Sequence, residues 1–275
     1  MEKNNDPKEN RTELMSHDPA LAHGSAPRLK KIRFFGGDAH VCLLPSSDGN
    51  FYVYTKNEHQ LEYVRHFSTP DAYEGSVEES KGIFRRGHGP VDTVILEIPD
   101  SIDELQIETT GGNIYGREIH CTMLTLTTAS GNCHIEKIYT QGTFINTQKG
   151  NLSLERLHTT LCQIRSVSGE ISSRDGSMKK LMLQSRDGSV SFSRLTISDG
   201  QIQTDKGNIT ISLARGQRDF CAFAHSDEGQ VRVQDGPRLD PYGFQMADET
   251  KYIKLMATSD QGDISICAAA VDKRG

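Results

Sequence analysis

Apolar residues in the middle of this chain alternate with polar ones for a few positions, break at a glycine, and resume in the same order nineteen residues later. The glycines are Gly112, Gly131, Gly150, Gly169, Gly188 and Gly207, evenly spaced. Counting each as position 1, position 3 holds Ile114, Cys133, Leu152, Ile171, Val190 and Ile209, and position 15 holds Leu126, Ile145, Ile164, Leu183 and Ile202. Position 8 carries Ile119, Ile138, Leu157, Gly176 and Leu195, and position 17 a small hydroxyl residue each time: Thr128, Thr147, Ser166, Ser185, Thr204. Apolar places at 3 and 5, and again at 13, 15 and 17, are two apart, which is the strand period and not the helical one. The pattern predicts short strands joined by turns, with no helix.

The breaks have turn chemistry. Glycine at position 1 serves a corner that needs positive φ or close backbone approach. Position 2 is Asn113, Asn132, Asn151 and Asn208 in four of six coils, and amides stacked at the strand spacing of about 4.8 Å can form a ladder outside the corner. A nineteen-residue coil is not three hexapeptides, which argues against the left-handed hexapeptide helix, and the crossover preference of parallel strands favours the right hand. The fold class is therefore all-β: a single-stranded, right-handed parallel β-solenoid with about 19 residues per coil.

The regular zone spans 93–228. Backwards, Leu105, Ile107 and Thr109 fall on positions 13, 15 and 17, with Val94, Leu96 and Ile98 alternating before them. Forwards, Gly229 and Gly262 follow at intervals of 22 and 33, giving C-terminal coils over 229–275 with a loop insertion at 234–250 that stands off the stack. Residues 29–92 read as irregular strands that begin the stack and cap its open end, so one solenoid domain covers 29–275. Residues 1–28 mix acids, bases and prolines and read as an unstructured tail.

Composition narrows the partners. The net charge is -6 and the 31 basic residues are scattered, which excludes the footprint of a nucleic-acid binder. The one basic cluster, Lys81, Arg85, Arg86 and His88, reads as a solvated loop. No run approaches the roughly 20 apolar residues of a bilayer span, and the tail lacks the apolar core of a leader, so the expectation is no membrane insertion and a cytoplasmic location. Cys42, Cys121, Cys133, Cys162, Cys221 and Cys267 have no CxxC spacing, and three lie at or beside inward positions, where a thiol behaves as a small hydrophobe.

Register also sorts the candidate chemistry. His120, Tyr139 and His158 share position 9, which puts the histidines two coils, about 9.5 Å, apart, too far for one zinc ion to bridge. His134 joins the outward polar row at position 4. Charges at position 6 (Arg117, Glu136, Glu155, Arg174) and position 7 (Glu118, Lys137, Arg156, Asp175, Arg194) read as cross-coil pairs that hold register. Asp175, Asp187, Asp199 and Asp205 occupy four different positions and cannot converge on a substrate. Tyr115, Phe144 and Met182 are read as exposed apolar residues on separate rows, forming no sticky patch. Nucleotide, metal and nucleophile motifs are missing, so the reading is not an enzyme: no catalytic residue, no metal site, no cofactor, and a binding site of unknown location.

The stretch LEIPDSIDELQIETTGGNIYG, with the repeats after it and the closing GQVRV and SDQGDISI, resembles the bacterial adhesin-like domain family of unknown function, a β-strand repeat family. The resemblance covers about residues 29–270 and implies a β-solenoid, with no catalytic or ligand-binding residues to carry over. The leading functional reading is a non-enzymatic interaction or adhesin-like scaffold that presents its faces to a protein or glycan. A self-assembling cytoskeletal-type β-helix comes second, and a carbohydrate-active enzyme third. The register itself is testable: Ile145→Asp buries an unpaired charge in mid-stack and is expected to cost several kcal/mol in chemical denaturation. A loss under about 1 kcal/mol would mean that position 15 does not face inward.

Overall fold

The computed structural model describes residues 23–24, 29–56, 58–78, 91–100, 102–214, 219–248 and 250–268. The first strands are β1 (His23–Gly24), β2 (Lys31–Gly37), β3 (His40–Pro45), β4 (Phe51–Thr55), β5 (Val64–Ser68), β6 (Ala72–Val77), β7 (Thr93–Ile98) and β8 (Ile102–Thr109). The regular coils hold β9 (Ile114–Thr128), β10 (Cys133–Lys149), β11 (Leu152–Ser168), β12 (Ile171–Arg174), β13 (Ser177–Asp187) and β14 (Val190–Thr204). The far end is built from β15 (Ile209–Leu213), β16 (Phe220–Ser226), β17 (Val231–Gln234), β18 (Ile253–Ser259) and β19 (Ile264–Ala268). All nineteen join one sheet that winds around a narrow apolar interior.

Parallel pairing follows the nineteen-residue period throughout the middle: Cys133 pairs with Leu152, Ile145 with Ile164, and Ile164 with Leu183. Positions 3, 8 and 15 form continuous buried rows, so the β-solenoid expectation holds. The strands are longer than expected. β10 and β11 run 17 residues each because the coil bends without leaving strand pairing. The bend sits at position 7, where Glu118, Lys137, Arg156, Asp175 and Arg194 all adopt left-handed φ of 54–56°.

The other corner is set by contact. A Cβ on Gly131 would lie 2.0 Å from the Gly112 carbonyl oxygen, and one on Gly207 would lie 2.2 Å from that of Gly188. Among the six repeat glycines only Gly150 and Gly169 have positive φ, so close approach is the general reason for glycine. The position 17 hydroxyls close the same turn from inside. Thr128 accepts from the Gly131 N–H at 2.9 Å, and Thr204 donates to the Gly207 carbonyl at 2.9 Å. Thr147 instead donates to Ser166 Oγ of the next coil at 3.0 Å, so four of the five hydroxyls in this row are bonded, while the buried Ser185 Oγ has no partner among the described residues.

Both ends depart from the sequence reading in the same way. β2 pairs with both β6 and β8, and β3 with both β7 and β9. The segment 31–45 is thus the second coil, enclosed between the outer coil of β6 and β7 and the regular stack. At the far end β18 lies between β14 and β16, and β19 between β15 and β17. Gly262 therefore stacks on Gly207, and Gly229 on Gly262, reversing the order expected from the chain. Each terminal segment of the solenoid is slotted beneath a coil made from residues nearer the chain's middle.

The caps use antiparallel strands and a folded insertion. β5 pairs antiparallel with β6, β4 with β7, and β1 with β4, so parallel growth stops there. The expected unstructured tail, 1–28, lies outside the described residues except for the two residues of β1. The insertion does not stand off the stack: the Ala222 N–H donates to the Pro237 carbonyl at 3.0 Å, and the Leu239 N–H donates to the Ala222 carbonyl at 2.7 Å. Gly236 packs on the Phe220 ring, and Phe244 approaches Phe223 at 6.3 Å. The expectation of no helix is corrected too, since a 3₁₀ segment covers Glu58–Tyr63 and a short helix α1 covers Pro241–Met246, capped by the Asp240 side chain.

Two substitutions separate the corners. Gly131→Ala drives a Cβ into backbone that cannot move without breaking ladder bonds, and is expected to cost several kcal/mol in urea unfolding. Arg156→Gly relieves a left-handed residue, worth about 1–2 kcal/mol, against a lost exposed ion pair of about 0–1 and added chain entropy of about 0.5–1. Its stability is expected to stay within about 1 kcal/mol of the parent.

Candidate binding site

The solenoid turns each outward position into a straight row, so candidate sites are rows. Along position 2 most rungs bond the next. The Asn132 N–H donates to Asn113 Oδ1 at 2.8 Å, the Asn151 N–H to Asn132 Oδ1 at 2.8 Å, and the Glu170 N–H to Asn151 Oδ1 at 2.9 Å. The row continues across the reordered ends, where the Asn113 N–H donates to His40 Nδ1, the Asp263 N–H to Asn208 Oδ1, and the Gln230 N–H to Asp263 Oδ1. This expected ladder exists, but it joins side-chain oxygens to backbone N–H groups, and its acceptors are consumed by the fold.

The charged corner is likewise occupied with itself. Lys137 bonds Glu118, Arg156 bonds Glu136, and Arg194 bonds Asp175, while Arg117 lies 3.7 Å from Glu136. The four aspartates are apart, as expected: Asp175 on Arg194, Asp187 beside Arg186 at 3.2 Å, Asp199 beside Lys180 at 3.8 Å, and Asp205 in a corner turn. Among the described residues no three His, Cys, Asp or Glu side chains converge as a metal site would require. The basic cluster at Lys81, Arg85, Arg86 and His88 lies outside the described residues.

The cysteines are all free thiols. Cys121, Cys133, Cys162 and Cys221 are buried, and burial pushes the Cys133 and Cys162 thiols up to about 12. They are core residues with little thiolate character.

Two surfaces run along the regular coils. The first is the flat face of positions 14 and 16: Thr125, Phe144, Gln163, Met182 and Gln201 beside Thr127, Asn146, Arg165, Gln184 and Gln203. Arg165 is the one charge among these ten, so amides, hydroxyls and two apolar side chains dominate the face. Phe144 and Met182 share this row, with Gln163 between them, which corrects the expectation of separate rows. Tyr115 stays apart at position 4, with His134 next to it in the same row.

The second is a groove of about 550 Å³ along positions 9 to 11. One wall is the stack of His120, Tyr139 and His158, with ring centroids 4.7 and 5.0 Å apart and the last two rings parallel within 2°. Its floor hydroxyls are satisfied: Thr140 donates to Thr159 at 2.9 Å and lies 2.7 Å from Thr143. Position 9 forms the single row that the register predicts, with Tyr139 between the two histidines. The groove's signal was present in the same row as a drop in side-chain size after His158.

A molecule built this way is a β-solenoid repeat protein. The Toastrack DUF4097 family model matches residues 74–267, well over half of the chain, and the chain belongs to that family. No curated protein matches it. A crystal structure from Bacteroides fragilis described as that of a putative adhesin is 14% identical, with 90% of this chain and 95% of that chain covered and a TM-score of 0.49. Another, of a putative cell adhesion protein from Clostridium sporogenes, is 10% identical over 88% of this chain and 93% of that one, with a TM-score of 0.32. The family is one of unknown function. No helix among the described residues is long and apolar enough to cross a membrane.

The charged corner carries a pH signature. The hydrogen bond from Arg194, with weaker Coulombic help from Arg174 and Arg156, holds the Asp175 carboxyl below its usual range. A depressed folded value means that this contribution is present above the unfolded aspartate range, about 3.9, and is lost as pH falls through the folded value. Asp175→Asn is therefore expected to show a shallower loss of stability between about pH 4 and 2 than the parent, read by urea midpoints. An unchanged acid slope would remove the pair from the account.

Proposed function

We propose that this protein is a non-enzymatic, adhesin-like scaffold that binds a protein or glycan through its outward rows. The observation that carries the reading is the flat face of positions 14 and 16, where ten residues in register hold a single charge, while charges of the neighbouring corner such as Lys137, Arg156 and Arg194 pair with acids of adjacent coils. Amides and hydroxyls in fixed rows, with Phe144 and Met182 as apolar contacts, suit a partner that is recognised by hydrogen bonds and shape. The shared rows contain no acid, base and nucleophile within reach of one reacting atom, which supports binding over turnover. The six free thiols favour a reducing, cytoplasmic setting.

Self-assembly by end-to-end stacking is the weaker reading. Antiparallel β4 and β5 at one end, and the 236–239 segment across β16 at the other, interrupt the parallel ladder that a second copy would continue. A monomer in light scattering is the corresponding expectation.

A photo-crosslinking side chain at Gln184 or Gln203 is expected to trap a discrete partner in cells, whereas the same group at Ser172, on position 4, traps none. Equal trapping from all three positions, or none from any together with no glycan retained on an array, would end the proposal. Release of unsaturated sugar from an acidic polysaccharide would overturn its non-enzymatic part.

A further inference from the structure

The aromatic row at position 9 stops halfway along the stack. His120, Tyr139 and His158 fill three successive coils, and the next two coils place Ser177 and Thr196 in the same row. Stacking within the row consumes the faces of Tyr139, but His158 has a ring on one side only. Its other face is directed along the row, above Ser177. One coil height of about 4.8 Å matches the 5.0 Å at which Tyr139 and His158 stack, so the missing rung is the thickness of one ring.

The chemistry around that vacancy is specific. Thr160 and Ser198 flank it on position 11, and their hydroxyls, like those of Ser177 and Thr196, have no partner among the described residues. Lys179 lies between them on the same row and has no ion pair there, although its neighbour Lys180 meets Asp199 at 3.8 Å. Lys179 thus places an exposed cation at the rim of the groove, within reach of an anionic group lying along it. Open walls rich in hydroxyls suit the hydroxyls of a sugar better than a protein side chain, which needs a dry pocket.

We propose that this groove binds an acidic saccharide, with one sugar ring on the open face of His158 above Ser177 and Thr196, and the sugar carboxylate on Lys179. The assignment rests on the binding reading above and names a ligand class and a place for it. The Thr140–Thr159 floor is already satisfied and excludes deeper entry, so the ligand lies along the groove and not within the core.

The test is an array of uronate- and sialate-bearing oligosaccharides with their neutral counterparts, probed with the full chain. Acidic members are expected to bind, with affinity falling about tenfold or more in Lys179→Met. Ser177→Tyr, which extends the aromatic row into the vacancy, is expected to fall as far, with an unchanged melting curve as the check on folding. If that variant melts early, Thr196→Tyr fills the next rung and serves instead. Equal binding of neutral sugars with Lys179→Met unaffected overturns the acidic ligand, and binding that survives both tyrosine variants overturns the location. Retention of no sugar overturns the proposal outright, while trapping from Gln184 and Gln203 reports separately on whether the scaffold reading stands.

Discussion

At each corner between coils a backbone carbonyl occupies the space where a side chain would begin. The Gly112 oxygen lies 2.0 Å from where a Gly131 Cβ would sit, and the same approach recurs from Ala39 to Gly229 through every stacked corner. That contact sets the coil-to-coil spacing at the one point where the chain turns most sharply. With the spacing set there, each strand meets its neighbour in fixed register, and a slip by one residue would turn the buried rows to solvent. The position 2 amides and position 17 hydroxyls then bond to the same corner from outside and inside. Their net contributions of about 0.5–1.5 kcal/mol each are smaller than the cost of displacing the carbonyl, so they secure a geometry that the glycine makes available.

The second bend obeys a different rule. Position 7 is left-handed in five coils without a single glycine, and its side chains are Glu, Lys, Arg, Asp and Arg. Left-handed geometry costs a non-glycine residue about 1–2 kcal/mol, and exposed ion pairs return about 0–1. Pairing alone therefore does not account for the choice. The apolar rows on either side do, because position 8 must face inward immediately after a residue that faces out, and Ile119, Ile138 and Leu157 are fully buried there. Burial of such side chains, about 1.5–3 kcal/mol each, outweighs the strain of the residue before it.

These two corners also explain what was legible beforehand. Gly at position 1 and the alternation around it display period, strand direction and core without ambiguity, since nothing else fits a carbonyl at 2 Å. The bend at position 7 was hidden because its residues carry no turn signature. Stack order at the ends was hidden for a different reason: periodicity reports neighbours in sequence, whereas His40 meets Asn113 across 73 residues and Asn208 meets Asp263 across 55. The 234–250 insertion has turn-rich composition whether it extends into solvent or folds over Phe220, and only packing distinguishes the two. Phe144 and Met182 could have been placed on one row by the same counting that placed position 15.

Enclosing the terminal segments has a physical logic. A solenoid that simply ended at its last residue would leave the least anchored strand as an exposed edge, free to fray and to recruit another chain. Here β2 and β19 each have neighbours on both sides, and the outer coils are closed by antiparallel strands or by the folded insertion. Loop closure over tens of residues costs little more than closure over twenty, because the entropy grows only with the logarithm of length. The long connections are therefore an inexpensive way to bury both ends. With the ends closed and the corners bonded, the remaining outward rows are the part of the surface that the fold does not use. Side-chain size and charge can change there from coil to coil without disturbing the stack, as they do at His158, Ser177 and Lys179.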